Sequence, residues 1–144
     1  MIFVALKVRL VSFYYIGKAG ESYRVIKQIK VLPIKKELSC KEILNSLVNI
    51  IINKKLNGEL IPYMQISDVK IREKICNVYV NICSRKAQMS SFGELRTLLI
   101  ILKTLKGFDR NLKIFKINGL ESSFKHIDTR FPVKVDGNNL IMVY

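Results

Sequence analysis

The chain has 144 residues, 49% of them apolar, and a formal net charge of +14. This length predicts one domain with a sizeable hydrophobic core. Every apolar stretch is interrupted too early to span a bilayer, so we expect no transmembrane segment in this chain. Whether an export signal or an anchor was removed from the natural product stays open.

The positive charge is spread along the chain. Its longest runs are pairs, such as the lysines at 35–36 and 54–55. Nucleic-acid binding usually requires cations gathered on one surface, often with stacking aromatic residues, and linear spacing does not show this. The abundance of Lys, Ile and Asn is also expected from AT-rich coding sequence. We therefore favour compositional drift over a basic surface for nucleic acid, anionic lipid or cell-wall polymer.

The first predicted element is a β-hairpin. Apolar and other residues alternate over 4–16, which places Val8 and Leu10 on one face with Val4 and Leu6. A turn at 17–20 leads into a second alternating strand that ends at Pro33.

A helix is predicted next. Ser39 is positioned as its N-cap with Glu42 three residues later, and the helix is expected to stop at Asn57–Gly58. Two further alternating segments, 66–72 and 75–82, flank a turn at Glu73–Lys74 and predict a second hairpin.

The second helix is predicted to begin with Ser91 as N-cap and Glu94 as its capping partner, and to close at Gly107. A strand at 112–119 follows, with Lys116 and the preceding Arg110 facing solvent. An Asp-Gly turn at 136–137 then joins two terminal strands. The order ββαββαβ plus a hairpin predicts an α/β or α+β two-layer sandwich, in which a mixed or antiparallel sheet carries both helices on one face.

Candidates for chemistry are few. His126 and Asp128 lie close in sequence, but no nucleophile elbow accompanies them, so a small hydrolase is the least favoured alternative. The segment 17–24 lacks the spacing of a phosphate-binding loop. Cys40, Cys76 and Cys83 match no zinc or redox motif and are interpreted as buried thiols, with one disulfide as the alternative. We predict no enzyme, and no catalytic, cofactor-binding or metal-binding residue.

Several short motifs occur together in the second half of the chain. In order, they are Ile61-Pro62, Val80 to Cys83, Thr104-Leu105, Ile114 to Gly119, and Ile127, Asp128 and Pro132. Together they resemble the GerMN domain family of bacterial sporulation and germination proteins, over about residues 8–133. The chain departs from that family at Asn81 and Cys83, which stand where Asp and Ser are usual, and by lacking a Gly-Pro after the first helix. Residues 134–144 form a strand extension beyond the usual domain end.

The resemblance implies a single GerMN-like domain over 1–144, similar to ring-building modules of cell-envelope assemblies. Such modules are exported, anchored to the membrane by a lipid or another segment, and noncatalytic. The implied partner is an envelope protein or polymer, or further copies of the chain. A cytoplasmic, basic nucleic-acid-binding module is the alternative. Gly119, Asp128 and Pro132 are interpreted as scaffold residues, which supply a positive-φ turn, hydrogen-bond acceptors and chain stiffness.

Strand parity also suggests an interaction surface. If the first strand neighbours the 75–82 strand, Phe13, Tyr15 and Tyr79 form an aromatic patch ringed by Lys7 and Arg9, with Asn77 and Asn81. The favoured alternative is that the terminal hairpin covers this patch and completes the core.

Overall fold

The computed structural model describes residues 8–19, 22–33, 38–54, 64–82, 90–121 and 124–143. The first half contains β1 (Val8–Ala19), β2 (Ser22–Pro33) and α1 (Cys40–Asn53). The second half contains β3 (Met64–Arg72), β4 (Ile75–Ile82), α2 (Ser91–Phe108), β5 (Ile114–Asn118), β6 (Val133–Asp136) and β7 (Asn139–Met142).

The strands form two sheets. β1 and β2 pair as an antiparallel hairpin, and the remaining strands form a five-stranded sheet in the order β3-β4-β5-β6-β7. Within it β4 and β5 are parallel and the other neighbours are antiparallel. The predicted α+β class, element order and mixed sheet are confirmed. The division into two sheets was not predicted, because alternation identifies a strand but not its partner.

One face of the five-stranded sheet is buried under the helices. Its buried side chains are Met64, Ile66, Cys76, Val78, Val80, Phe115, Ile117, Val133 and Val135. α1 packs against β3 and α2, while α2 also contacts β6, β7 and β1. α2 is therefore enclosed between the five-stranded sheet and the β1–β2 hairpin, which explains why Leu98 to Leu102 are all buried instead of forming one stripe.

The start of α1 agrees with the prediction. The Ser39 hydroxyl accepts the Glu42 backbone N–H at 3.2 Å and donates to the Glu42 carboxylate at 3.2 Å. This satisfies one of the N–H groups that a helix start leaves without a partner. The helix ends at Asn53, and the predicted stop at Asn57–Gly58 lies outside the described residues.

The start of α2 differs from the prediction. Its N-cap is Ser90, whose hydroxyl accepts the Gly93 N–H at 3.1 Å, and Ser91 is the first helical residue. Glu94 does not cap the helix but is completely buried beneath a distant loop. Gly107 lies inside the helix, which ends one residue later at Phe108. Among the described residues, no helix is both long and apolar enough to cross a bilayer.

The hairpin packs against α2 along the edge of β1 that does not pair with β2. The Tyr14 backbone N–H donates to the Thr104 hydroxyl at 3.1 Å. Near the C-terminus of α2, the Arg9 guanidinium donates to the Phe108 carbonyl at 2.6 Å and lies 4.0 Å from the Phe108 ring centroid. A cation at this position also interacts favourably with the helix dipole. Arg9 thus fixes one end of the hairpin.

Two tight turns lie where the sequence predicted them. Glu73 and Lys74, between β3 and β4, have φ values of +51° and +66°, which is uncommon for residues other than glycine. Asp136 pairs with Asn139 across the second turn, where Gly137 has φ of +59°. The β6–β7 hairpin, part of the predicted C-terminal extension, completes the edge of the five-stranded sheet.

Candidate interaction surface

The predicted aromatic patch is divided between two parts of the fold. Phe13 has an exposed fraction of 0% and Tyr15 of 9%, whereas Tyr79 is half-buried in β4. Because β1 pairs with β2 and not with β4, the assumed strand neighbours were wrong. Of the two alternatives for Phe13 and Tyr15, burial in the core agrees with the structure and exposure does not. Both belong to the hydrophobic core, on a strand that contacts the two helices.

The two cations expected around that patch have different outcomes. Lys7 lies outside the described residues. Arg9 is half-buried and uses its guanidinium in the contacts with Phe108 described above. Arg9 is therefore engaged within the fold, and the structure gives no test of a role in partner binding.

An exposed apolar surface lies on the other face of the hairpin. Its members are Val8, Leu10, Ile29 and Val31, which are between 56% and 66% exposed. We call these four residues the outer hairpin face. Leu10 pairs directly with Val31, so the side chains are neighbours across the two strands. Clustered exposed aliphatic side chains on a folded domain often mark a docking site.

The alternation of β1 did not show which of its faces is buried, because both faces are apolar. Val8 and Leu10 have one parity, and Val11, Phe13 and Tyr15 have the other. A signal that favours the second set was available, since aromatic side chains bury more area than valine and leucine. Burial of the larger set left the smaller aliphatic side chains exposed.

The hairpin also presents a free strand edge. Among the described residues, β2 pairs with β1 and with no other strand, over a length of 12 residues. Such an edge carries backbone N–H and C=O groups that another chain can pair with. The outer hairpin face and the β2 edge therefore offer apolar side chains and backbone groups on adjoining surfaces.

The loop around His126 is organised by Glu94. The Glu94 carboxylate accepts the backbone N–H groups of Lys125, His126 and Ile127, each at 2.9 Å, and lies 2.8 Å from His126 Nδ1. Burial by itself would raise the pKa of this carboxyl, but the four hydrogen bonds stabilise the charged form and hold the pKa below its ordinary value. Glu94 is thus a buried anchor for the loop.

Asp128, the other acid of this loop, is held by Arg130. Its carboxylate accepts the Arg130 backbone N–H at 3.0 Å and guanidinium N–H groups at 2.7 to 3.2 Å. Hydrogen bonds from the Arg130 side chain and backbone lower the Asp128 pKa to about 2. His126 contacts Glu94 rather than a nucleophile, and Ser122 and Ser123 lie outside the described residues. In the described part of the loop, the contacts of His126 and Asp128 therefore stabilise the loop conformation.

The other two scaffold candidates also have defined positions. Gly119 has φ of +103°, the region that favours glycine, and a Cβ atom there would lie 2.0 Å from the Val80 carbonyl oxygen. The Pro132 carbonyl accepts the Val143 N–H at 2.8 Å, which joins the end of the loop to the segment after β7. Both residues thus contribute to how the loop meets the five-stranded sheet.

The thiols that the structure describes are not paired. Cys76 is buried, Cys40 is half-buried, and both are free. Burial raises the pKa of each thiol, that of Cys76 to about 12, so both remain protonated at neutral pH. Cys83 lies outside the described residues. Within the described ranges, no three His, Cys, Asp or Glu side chains come together as metal ligands.

Comparison with known proteins gives a structural likeness without a sequence match. Neither a family model nor a curated protein matches the sequence. The tandem GerMN domains of the sporulation protein GerM from Bacillus subtilis match with a TM-score of 0.60 and 14% identity, over 93% of this chain. The fold is similar to that of GerMN domains. The match covers 48% of the GerM chain, so this chain spans about half the length of that protein.

A second solved structure, a candidate lipoprotein from Clostridium perfringens, has a TM-score of 0.49 and 14% identity, with 99% of each chain covered. At this identity, the GerMN likeness concerns the fold alone. It agrees in fold with the family resemblance, which was based on short sequence motifs.

Proposed function

We propose that this chain is a noncatalytic, envelope-associated interaction domain that binds a protein partner through the outer hairpin face. The observation that carries the proposal is the cluster of four aliphatic side chains on that face, each more than half exposed. The GerMN-like fold supports an assembly role, and the family resemblance implies an extracytoplasmic location with an anchor outside this chain.

The free edge of β2 favours strand addition as the mode of binding. An extended partner segment that pairs with β2 would gain main-chain hydrogen bonds, and its side chains would cover Ile29 and Val31. Alternate residues of the added strand would face the apolar surface. This mode requires no rearrangement of α2 or of the five-stranded sheet.

The charge of β2 favours an acidic partner over a second copy of this chain. β2 carries Arg24, Lys27 and Lys30, and the described residues of the hairpin contain no Asp or Glu. Pairing two β2 edges would bring these cations together, which is unfavourable across neighbouring strands. A partner strand with Asp or Glu at alternate positions would be attracted instead. We therefore place self-association second.

The experiment compares Leu10→Glu/Val31→Glu with the wild type and with Ile71→Glu. Ile71 is 56% exposed on β3, so it provides a matched control outside the hairpin. Proteins captured from an envelope fraction are identified, and the candidate partner is purified for measurement of Kd. The double variant should weaken binding at least about tenfold, because it buries carboxylates against apolar side chains, while the control should change little.

Three results would contradict the proposal. The double variant could bind the purified partner as tightly as the wild type, or both variants could lose binding equally. The native protein could also be found only in the cytosol on cell fractionation. Concentration-dependent self-association that the double variant abolishes would instead identify a second copy of the chain as the partner.

A further inference from the structure

A cationic groove lies between the hairpin, α2 and the β6–β7 turn. It encloses about 500 Å³ and is lined by Ser12, Tyr14, Lys27, Lys103, Lys106, Gly107, Arg110, Val135 and Gly137. The cations come from three separate parts of the chain: β2, α2 and the segment after α2. None of the four residues of the outer hairpin face lines this groove.

The groove concentrates positive charge without acidic compensation. Four of its nine lining residues are Lys or Arg, and none is Asp or Glu. Asp109, the sequence neighbour of Arg110, is not among the lining residues and accepts the Asn111 N–H at 3.0 Å. Within the described part of the chain, neither Lys27 nor Arg110 has a hydrogen-bond or ion-pair partner. Their charges are therefore available to a ligand.

The two lysines of α2 are held in position by neutral acceptors. Lys103 Nζ donates to the Gly137 carbonyl at 3.2 Å and to Asn138 Oδ1 at 2.7 Å. Lys106 Nζ donates to the Val135 carbonyl at 2.9 Å. An ammonium group has three N–H donors, so Lys103 keeps one and Lys106 keeps two for a ligand. The ammonium groups are thus oriented without being neutralised.

Crowding of these charges adds an independent argument. Partial burial of the Lys103 ammonium, and then the nearby Lys106 charge, lower the pKa of Lys103. Both effects disfavour the cation when the groove is empty of anions. A bound anion would offset the repulsion between the two lysines.

We infer that the cationic groove binds a compact phosphate compound with several negative charges, of the diphosphate type. Its volume lies within the range of about 300–1,000 Å³ typical of small-ligand sites. Four cations exceed what a single phosphodiester can neutralise, while the Ser12 and Tyr14 hydroxyls add neutral donors. The same chemistry is presented by a free diphosphate and by a phosphorylated lipid head group. The inference goes beyond the proposed function, because it concerns a small-ligand site that shares only Lys27 with the residues invoked for partner binding.

The test uses the full chain and the double variant Lys27→Gln/Arg110→Gln. Both side chains lack partners among the described residues, so the variant should fold normally, which circular dichroism checks. The matched control is Lys113→Gln/Lys134→Gln, which removes the same charge from two exposed residues outside the groove. Calorimetry with inorganic pyrophosphate, sulfate and a single-stranded RNA is performed at about 50 mM salt, where screening is moderate. Vesicles with and without a lipid that carries a diphosphate head group form the lipid arm.

We expect pyrophosphate to bind the wild type and the control within about twofold of each other, and the groove variant at least about tenfold more weakly. Groove-dependent binding to the vesicles with the diphosphate head group alone would support the inference and identify a lipid source. The inference is overturned if neither phosphate source binds, or if the control loses as much affinity as the groove variant. Sulfate binding as tight as that of pyrophosphate would indicate an adventitious ion only, and tighter binding of RNA would indicate a polymer surface. Leu10→Glu/Val31→Glu should keep pyrophosphate binding, so failure of this inference is distinguishable from failure of the proposed function.

Discussion

Replacement of Glu94 tests which of two roles this residue has. The local sequence pattern predicts that it caps its own helix, whereas the structure shows it anchoring the 125–127 loop. Glu94→Ala removes the acceptor of three backbone N–H groups in the 125–127 loop. A buried donor left without a partner costs roughly 1–3 kcal/mol, and relaxation of the loop should recover part of the sum. We expect the free energy of unfolding to fall by about 3–5 kcal/mol, the lower part of the sum for three N–H donors that lose their acceptor.

Urea denaturation at pH 7 measures this loss, with Glu94→Gln as the matched variant. The glutamine oxygen can accept two N–H groups, but its NH₂ group cannot accept the third, so the loss should be smaller, about 1–3 kcal/mol. If Glu94 were only a helix-capping residue, Glu94→Ala would cost nearer to 1 kcal/mol. A loss of that size would refute the assigned role.

The pH dependence has a defined sign. The pKa of Glu94 in the folded protein is lower than its ordinary value of 4.5, so its charged form is stabilised by folding. This contribution is fully present above pH 4.5 and is lost as the pH falls from there through the folded-state pKa. The stability difference between wild type and Glu94→Gln should therefore shrink on acidification below pH 4.5. A difference that stays constant down to acid unfolding would contradict the lowered pKa.

Two further pairs of substitutions test the fold by thermal or urea unfolding. Gly119→Ala should destabilise the protein by roughly 1–3 kcal/mol or more, because its Cβ would approach the Val80 carbonyl oxygen to 2.0 Å at a positive φ. Gly137→Ala has open space around its Cβ and should cost about 1–2 kcal/mol. Equal losses for the two variants would contradict the steric argument. Phe13→Ala should cost about 3–5 kcal/mol because Phe13 is fully buried, whereas Leu10→Ala should stay within about 0.5 kcal/mol. A larger loss for Leu10→Ala than for Phe13→Ala would instead place Leu10 on the buried face of β1.

Much of the fold could be predicted from local pattern. The Ser39–Glu42 start of α1, the Glu73–Lys74 turn and the turn at Gly137 each depend on residues close in sequence. The strand faces of β1 could not be assigned in this way, because both parities are apolar. Pairing of β1 away from the five-stranded sheet is a tertiary property that alternation does not encode.

The start of α2 shows the same limit in a helix. Ser91 and Glu94 have the spacing of a capping box, but Ser90 is an equally good cap by type, and the structure uses it. The role of Glu94 depends on backbone groups more than 30 residues away, which no local pattern reveals.

The cationic groove could not be predicted from the sequence either. Lys27 is far in sequence from the two lysines of α2 and from Arg110, which follows α2. One signal was present. Lys103 and Lys106 are three residues apart in a helix and so lie on the same side of it. Arg110 was predicted to face solvent, and it is exposed. The fold also places it in the same groove as the three lysines.

The enclosed position of α2 has a consequence for the order of folding. α2 connects β4 to β5, which pair in parallel, so this pairing requires the whole crossover to form. The β1–β2 hairpin needs only a local chain reversal, which is a much faster event. An isolated two-stranded hairpin is marginally stable, however, and becomes fixed only on the surface of a completed α2. We therefore expect the hairpin to form early and to dock late, after α2 is complete.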